Sequence, residues 1–264
     1  MIWHTRPLPA ARYLAQRCRD LGAEVITAPA LTIRALGEGD PRWPQMQATL
    51  RQLHSYDHTI FVSGNAVQHG LACMRSAWPA WPPRTPCYAI GPTTARLLAA
   101  AGIEARQAAG PRMNSEALLE LPALQALAGQ RVLIVRGVGG RGWLAQVLTA
   151  RGASVDYLEV YRREKSDTLP EQVSAGIVNG TIDFITASSG ETVENIVELV
   201  DDDLHPRLLG VKIVVPGARV AAIARRCGFC RIIEATNAGD DAVIASMVTV
   251  TNQLLVNNNG GRGA

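Results

Sequence analysis

The sequence predicts an α/β fold of two similar domains, each a mostly parallel sheet flanked by helices, joined by a two-stranded extended linker. Three observations carry that reading. A strand, a short polar or glycine-containing turn and a helix recur along the chain; the set of these units repeats near half the chain length; and two extended segments stand in equivalent places outside the repeated helices. Strands alternating with helices imply a parallel sheet covered on both faces, with its loops in a row at the carboxyl ends of the strands. Two copies of the set imply two such rows, facing a common cleft. One continuous sheet of double width is the alternative arrangement, disfavoured by the irregular stretches between units.

The elements follow in order. Ile2-Trp3-His4, with the turn Thr5-Arg6-Pro7 and a helical run stopping at Leu21-Gly22, matches Val132 to Val135, with Arg136-Gly137 and a run stopping at Arg151-Gly152. Tyr56 to Val67, through Ser63-Gly64-Asn65, matches Ile182 to Val193, through Ser189-Gly190. Cys87 to Ile103, through Gly91-Pro92-Thr93-Thr94, matches Ile213 to Phe229, through Pro216-Gly217. Each strand is a short β-branched run, and each helix carries apolar residues at helical spacing before its stop. Glu24 to Arg34 and Ser154 to Arg163 follow the same unit in each half and read as extended connectors, long enough to cross between domains and pair as a ladder. After Val256 the apolar pattern ends, and 257–264 reads as a disordered tail.

Composition narrows the function. A hydrophobic content of 47% across 264 residues can bury a substantial core. With 26 basic and 23 acidic side chains the net charge is +3, and nothing resembles a nucleic-acid stripe. No apolar stretch approaches a membrane span, and no basic-then-apolar leader opens the chain, so a cytoplasmic location is expected. Five scattered cysteines argue against a disulfide framework, and Cys227-Gly-Phe-Cys230 follows a helix instead of opening one, against the usual redox arrangement. His4, His54, His58, His69 and His205 have no motif partners, so neither metal spacing nor a Ser-His-Asp elbow emerges.

Several turns can carry chemistry. Gly137-Val-Gly-Gly-Arg-Gly142 fits a dinucleotide-binding spacing after a strand, with Asp156 or Glu159 where a ribose-binding acid is expected. Against that, the equivalent turn in the first half, Thr5-Arg-Pro-Leu-Pro-Ala10, has no glycines, and the reading preferred over it is a permissive turn or backbone N–H groups cradling an anion beside Arg136 and Arg141. Ser63, Asn65, Thr93, Ser188 and Ser189 stand between strand and helix, where they cap the helix or offer donors to several carboxylates. Tyr161, near the end of the second connector, either packs locally or turns its hydroxyl to the cleft as a proton donor, protonated at neutral pH.

Phe61-Val-Ser-Gly-Asn-Ala-Val67, Ala89-Ile-Gly-Pro-Thr-Thr-Ala95, Val135-Arg-Gly-Val-Gly-Gly-Arg141, Val160-Tyr-Arg162 and Ser188-Ser189 are each short, but their order is specific. In that order the chain resembles the uroporphyrinogen-III synthase family from Thr5 to Ala242. The resemblance implies one domain from both chain ends, 1–30 with 165–256, a second from 36–156, and connectors at 31–35 and 157–164. It implies a lyase, free of any cofactor, that closes the linear tetrapyrrole hydroxymethylbilane with inversion of ring D and loss of water. With no extra apolar face evident in the sequence, a monomer is expected, and the charge and hydropathy patterns point to neither nucleic-acid nor membrane partners. Tyr161 becomes the expected acid, and Thr5, Arg6, Ser63, Asn65, Thr93, Arg136, Gly139, Gly140, Ser188 and Ser189 the expected substrate holders. Val215-Pro-Gly217 departs from the family, which commonly has a hydroxyl residue in that turn. Two other classes stay open: a nucleotide-dependent oxidoreductase using the 137–142 turn, and a non-enzymatic two-domain ligand-binding protein.

Overall fold

The computed structural model describes residues 1–8, 10–79, 85–108 and 114–260, with side chains followed to residue 254. In chain order the strands are β1 (Ile2–His4), β2 (Val25–Thr27), β3 (Leu31–Ala35), β4 (His58–Phe61), β5 (Cys87–Ala89), β6 (Ala105–Arg106), β7 (Arg131–Gly137), β8 (Ser154–Lys165), β9 (Phe184–Thr186), β10 (Lys212–Pro216) and β11 (Arg231–Ala235). The helices are α1 (Arg12–Asp20), α2 (Trp43–Arg51), α3 (Gly64–Ala77), α4 (Pro92–Ala100), α5 (Ser115–Leu118), α6 (Trp143–Ala150), α7 (Glu171–Val178), α8 (Gly190–Leu199), α9 (His205–Leu208), α10 (Gly217–Arg226) and α11 (Asp240–Gly260). The chain divides into two compact units, Met1–Thr32 with Glu164–Ala264, and Ile33–Arg163.

The first unit holds a sheet of order β11-β10-β9-β1-β2, parallel throughout. Successive strand residues point to opposite faces, and both faces are buried. Trp3, Ile185, Ile213 and Val215 pack with Val173, Ile177, Val193 and Ala221. Ile2, Phe184 and Val214 pack on the other side with Leu14, Cys18, Val243 and Met247. That two-faced burial is why the strands read as continuous apolar runs.

The second unit repeats the plan. Its sheet has the order β3-β8-β7-β4-β5-β6, and the ladders β8-β7, β7-β4, β4-β5 and β5-β6 are parallel. Phe61, Leu133 and Val135 pack with Leu71, Met74 and Leu98, while Ile60, Tyr88, Val132 and Ile134 pack with Leu118, Leu144 and Leu148. The duplicated strands occupy the same places in the two sheets: β1 and β7, β9 and β4, β10 and β5 are equivalent.

Three elements differ from the sequence expectation. The segment 24–34 is broken into β2 and β3 around Ala28-Pro29-Ala30, because Pro29 has no N–H to give to a ladder. Ala28 and Ala30 instead donate their N–H groups to the carbonyls of His4 and Thr5, and the Trp3 indole donates to Ala28. The second extended segment is laddered to β7 from Ser154 to Tyr161, so 157–161 is a strand of the second sheet over the stretch read as a connector. The last helix runs on through residues 257–260, read as the start of a tail, and 261–264 lie outside the described residues.

Candidate functional site

In an open parallel sheet, the crevice for a ligand lies at the carboxyl ends of the strands, where consecutive connections leave in opposite directions. In the first unit the chain proceeds from β1 outward to β2 on one side, and from β9 through β10 to β11 on the other, so the switch lies between β1 and β9. In the second it lies between β7 and β4. A cavity stands at each of these places.

The cavity of the second unit has a volume of about 190 Å³ and is lined by Ser115, Arg136, Gly137, Gly139, Gly140, Arg141, Tyr157, Tyr161 and Arg163, with Val62, Ile90, Ile134 and Leu144 as its apolar wall. Arg136 is only 9% exposed. Its Nε donates to the Gly137 carbonyl at 3.1 Å, its Nη1 lies 3.5 Å from the Arg141 carbonyl, and its guanidinium stacks 4.8 Å over the Tyr157 ring. No carboxylate pairs with it among the described residues. A charge held this deep without a counter-ion is costly, and a bound anion would relieve that cost. Gly139 and Gly140 have φ of +77° and +86°, which turns their backbone in a way other residues resist and leaves its N–H groups available to an anion. A Cβ on Gly140 would sit 2.6 Å from Arg136 Nη2, so the glycine also makes room for that side chain.

Tyr161 lines the same cavity but is 2% exposed. Its ring lies on the backbone of Gly137 and beside the His69 ring, 5.7 Å between centroids, and its hydroxyl is 3.1 Å from Ser63 Oγ. Ser63 caps α3 by accepting the Ala66 N–H at 3.1 Å. Capping and contact with Tyr161 are therefore both true of this serine. Asn65 and Thr93 stand in the first turns of α3 and α4 at neighbouring strand ends, outside the cavity lining; Thr93 is exposed and accepts from Arg96 at 3.3 Å.

The recess of the first unit, with about 10 Å³ of free space, is lined by His4, Arg6, Thr186, Ala187 and Ser188, with Pro216, Ala238 and Val243 nearby. Arg6 forms an ion pair with Asp240 and donates to the Ala238 carbonyl at 2.7 Å, which fixes the turn after β1 to the start of α11. Thr5 is buried and donates its hydroxyl to the Thr186 carbonyl at 2.5 Å, a tie between β1 and β9. Ser189 caps α8 through the Thr192 N–H and meets the Thr192 hydroxyl at 2.9 Å. Of the four expected holders in this unit, Arg6 and Ser188 face the recess, while Thr5 and Ser189 are tied to backbone.

The dinucleotide reading of 137–142 finds no acid in place. Asp156 pairs with Arg131 at 3.0 Å and accepts from Tyr56 at 2.9 Å, opposite Leu133 and back along the sheet from the glycine turn, and Glu159 is paired with Arg42 at 3.1 Å. Cys227 ends α10 and Cys230 precedes β11, both as free thiols. Tyr157, Arg163 and Ser115 were not legible as site residues: Tyr157 and Arg163 are ordinary members of a strand pattern, and Ser115 lies in a four-residue helix, α5, outside any repeated unit.

Comparison with known proteins agrees with this architecture. The family model for uroporphyrinogen-III synthase HemD matches residues 13–245. The uroporphyrinogen-III synthase of Salmonella typhimurium is 34% identical over 92% of this chain and 98% of its own, and that of Escherichia coli is 31% identical over 92% and 98%. Among solved structures, a mutant uroporphyrinogen III synthase from the extremely thermophilic bacterium Thermus thermophilus aligns with a TM-score of 0.55 at 17% identity, covering 96% of this chain and 99% of its own. The Helicobacter pylori uroporphyrinogen-III synthetase gives 0.57 at 12% identity, over 94% and 98%, and both show the shared fold. With a family model spanning most of its length and curated relatives matched nearly end to end, the chain belongs to the uroporphyrinogen-III synthase family.

Proposed function

We propose that the protein is a uroporphyrinogen-III synthase, a lyase that takes hydroxymethylbilane, expels its terminal hydroxyl as water and closes the macrocycle with ring D inverted. The observation that carries the reading, within this family, is the Arg136 guanidinium: nearly buried, without a carboxylate partner among the described residues, and facing a glycine-lined cavity at a sheet's switch point. An octa-carboxylate substrate supplies the missing counter-ions. Arg suits this task because its planar fork can take a carboxylate through two N–H bonds.

The chemistry asks little of the protein beyond assisted departure and positioning. The pyrrole nitrogen supplies the electron pair that expels the hydroxyl, a proton delivered to that oxygen turns it into water, and the resulting cation is attacked by the substituted carbon of ring D. The spiro centre so formed releases its older bond to the neighbouring methylene, which becomes a second pyrrole-stabilised cation. The free α-carbon of ring D attacks that methylene, and loss of the proton from this carbon restores the pyrrole with ring D inverted. No cofactor enters that balance. Tyr161 is our candidate for the proton donor, with Ser63 holding its hydroxyl. Arg136, with the backbone of Gly139 and Gly140, would hold carboxylates in the second unit, and Arg6 and Ser188 would do so in the first. Asn65 and Thr93 lie at adjacent strand ends, where longer substrate arms would reach them, and Thr5 and Ser189 shape the loops behind these contacts. The free cysteines support a reducing compartment, and we place the enzyme in the cytoplasm as a monomer.

The test is to incubate the purified protein with freshly made hydroxymethylbilane and separate the product isomers. Spontaneous closure gives type I, so the expected result is type III in excess, and a product mixture indistinguishable from the uncatalysed one would overturn the assignment. A Tyr161→Phe enzyme with full turnover would remove Tyr161 from the acid role while leaving the assignment standing.

A further inference from the structure

Tyr157 lines the cavity of the second unit and enters no step above. On β8 it stands opposite Ile134, and Arg136 follows two residues later on the same face of β7. The tyrosine ring thus reaches along the sheet to lie under the guanidinium, 4.8 Å from Arg136 Cζ to the ring centroid. How the two units hold their arginines differs. Arg6 is held by the Asp240 carboxylate, which takes up its fork and cancels its charge. Arg136 is held by the Tyr157 ring and by one N–H, the Nε bond to the Gly137 carbonyl at 3.1 Å. An aromatic face attracts a cation without accepting the N–H groups in the guanidinium plane. Apart from the Nη1 contact with the Arg141 carbonyl at 3.5 Å, the Nη donors are left to the cavity, and Gly140 leaves open the space beside Nη2. A competing carboxylate stands in the same ladder: Glu159 is the register partner of Arg136 on β8, and Arg42 takes it up at 3.1 Å. A long, flexible arginine without a flat support has other places to go, Glu159 among them.

We propose that Tyr157 is a positioning residue, whose ring keeps the Arg136 guanidinium turned to the cavity with its fork free for a substrate carboxylate. The inference rests on the proposed function for the identity of that substrate. Apparent affinity falls with the fraction of molecules in the binding-competent conformation, so a ring that holds the arginine in place lowers KM. It leaves kcat alone, because Tyr157 acts on the substrate only through Arg136. A carboxylate support would fix the arginine as well, but it would compete with the substrate for the same N–H groups and cancel the charge that draws the substrate in.

The test is a coupling between the two positions, measured on the full chain with hydroxymethylbilane. Tyr157→Leu removes the ring and should raise KM about five- to tenfold while changing kcat by less than about twofold, the scale of a desolvated cation–π contact. Tyr157→Phe keeps the aromatic face and should stay within about twofold of wild type. In the Arg136→Met background, Tyr157→Leu should leave KM where Arg136→Met alone puts it, because the ring then has nothing to hold. An unchanged KM in a folded Tyr157→Leu enzyme overturns the proposal. So does a Tyr157→Phe enzyme as impaired as Tyr157→Leu, or a rise in KM of the same size in both backgrounds. If Tyr157→Leu does not fold, the wild-type chain decides, labelled with ¹³C and ¹⁵N in its arginines and with Arg136 assigned by its absence from the spectrum of Arg136→Met. Cross-relaxation between the Arg136 side chain and the Tyr157 ring should persist when uroporphyrinogen III, the carboxylate-bearing product, saturates the protein under anaerobic conditions; its loss on binding overturns the proposal. Type III product from a wild-type chain in which the two positions are uncoupled sinks this inference alone, whereas type I product alone sinks the proposed function beneath it.

Discussion

Gly137 contributes to the site by an atom it lacks. A Cβ there would lie 2.5 Å from Tyr161 Cε2 and 2.6 Å from Cζ, so any side chain must drive the ring off the strand and its hydroxyl away from Ser63. Gly137→Ala is therefore expected to cost about 1–3 kcal/mol in urea denaturation, the usual range for overpacking, and to lower turnover in step with Tyr161→Phe. Unchanged stability and turnover together would mean that the ring has room to spare. Arg136 makes the opposite kind of prediction. Replacing it with Met keeps the apolar stem over Tyr157 and removes a buried charge, so Arg136→Met should raise KM about tenfold or more while the melting temperature holds or increases. A fall of several degrees with KM unchanged would assign the arginine to structure instead. The sequence marks Ser63, Arg136 and Tyr161 separately, by type and by place in a turn or connector. Their connections were not legible, since the Ser63–Tyr161 contact spans 98 residues and depends on a bulge between Arg136 and Gly137 that no spacing encodes.

At the scale of elements, the duplicated serines offer a matched pair of experiments. Ser63 and Ser189 both adopt extended backbone and accept the N–H of the third residue of the helix that follows. Each Ser→Ala change should lower stability by about 1 kcal/mol, measured by urea denaturation. A change of only a tenth of that in either would show that its cap bond is replaced by water. Strands and helices of the repeated units were readable because two-faced burial makes strands continuous apolar runs and because four of the six helices, α1, α4, α6 and α10, stop at glycine. The break between β2 and β3 was not, since the apolar alternation continues across Pro29 and only the missing N–H interrupts the ladder. The end of α11 was equally silent, because residues 251–254 are exposed, and a helix with no buried face leaves no periodic pattern to read.

At the scale of the whole molecule, the fold class followed from the repeat, because equivalent strands in the two halves find equivalent neighbours and so generate the same sheet order twice. What the repeat could not reveal is where the halves diverge: the second unit's switch point carries a buried cation, the first unit's a buried neutral imidazole. That imidazole ties global stability to pH. Folded His4 is held down to about 4, against about 6.5 in the unfolded chain, so between those values the unfolded state binds the proton and the folded state does not. Stability from this group is therefore fully present above about pH 6.5 and is lost as pH falls towards 4, by up to roughly 3 kcal/mol. His69, also lowered by burial, works in the same direction. In His4→Gln the group cannot titrate, so the variant's stability deficit relative to wild type at pH 7.5 should shrink steadily as the buffer is taken to pH 4.5. Urea denaturation of both proteins across that range measures the gap directly, and two curves that stay parallel would mean that the His4 ring is protonated as easily inside the fold as outside it.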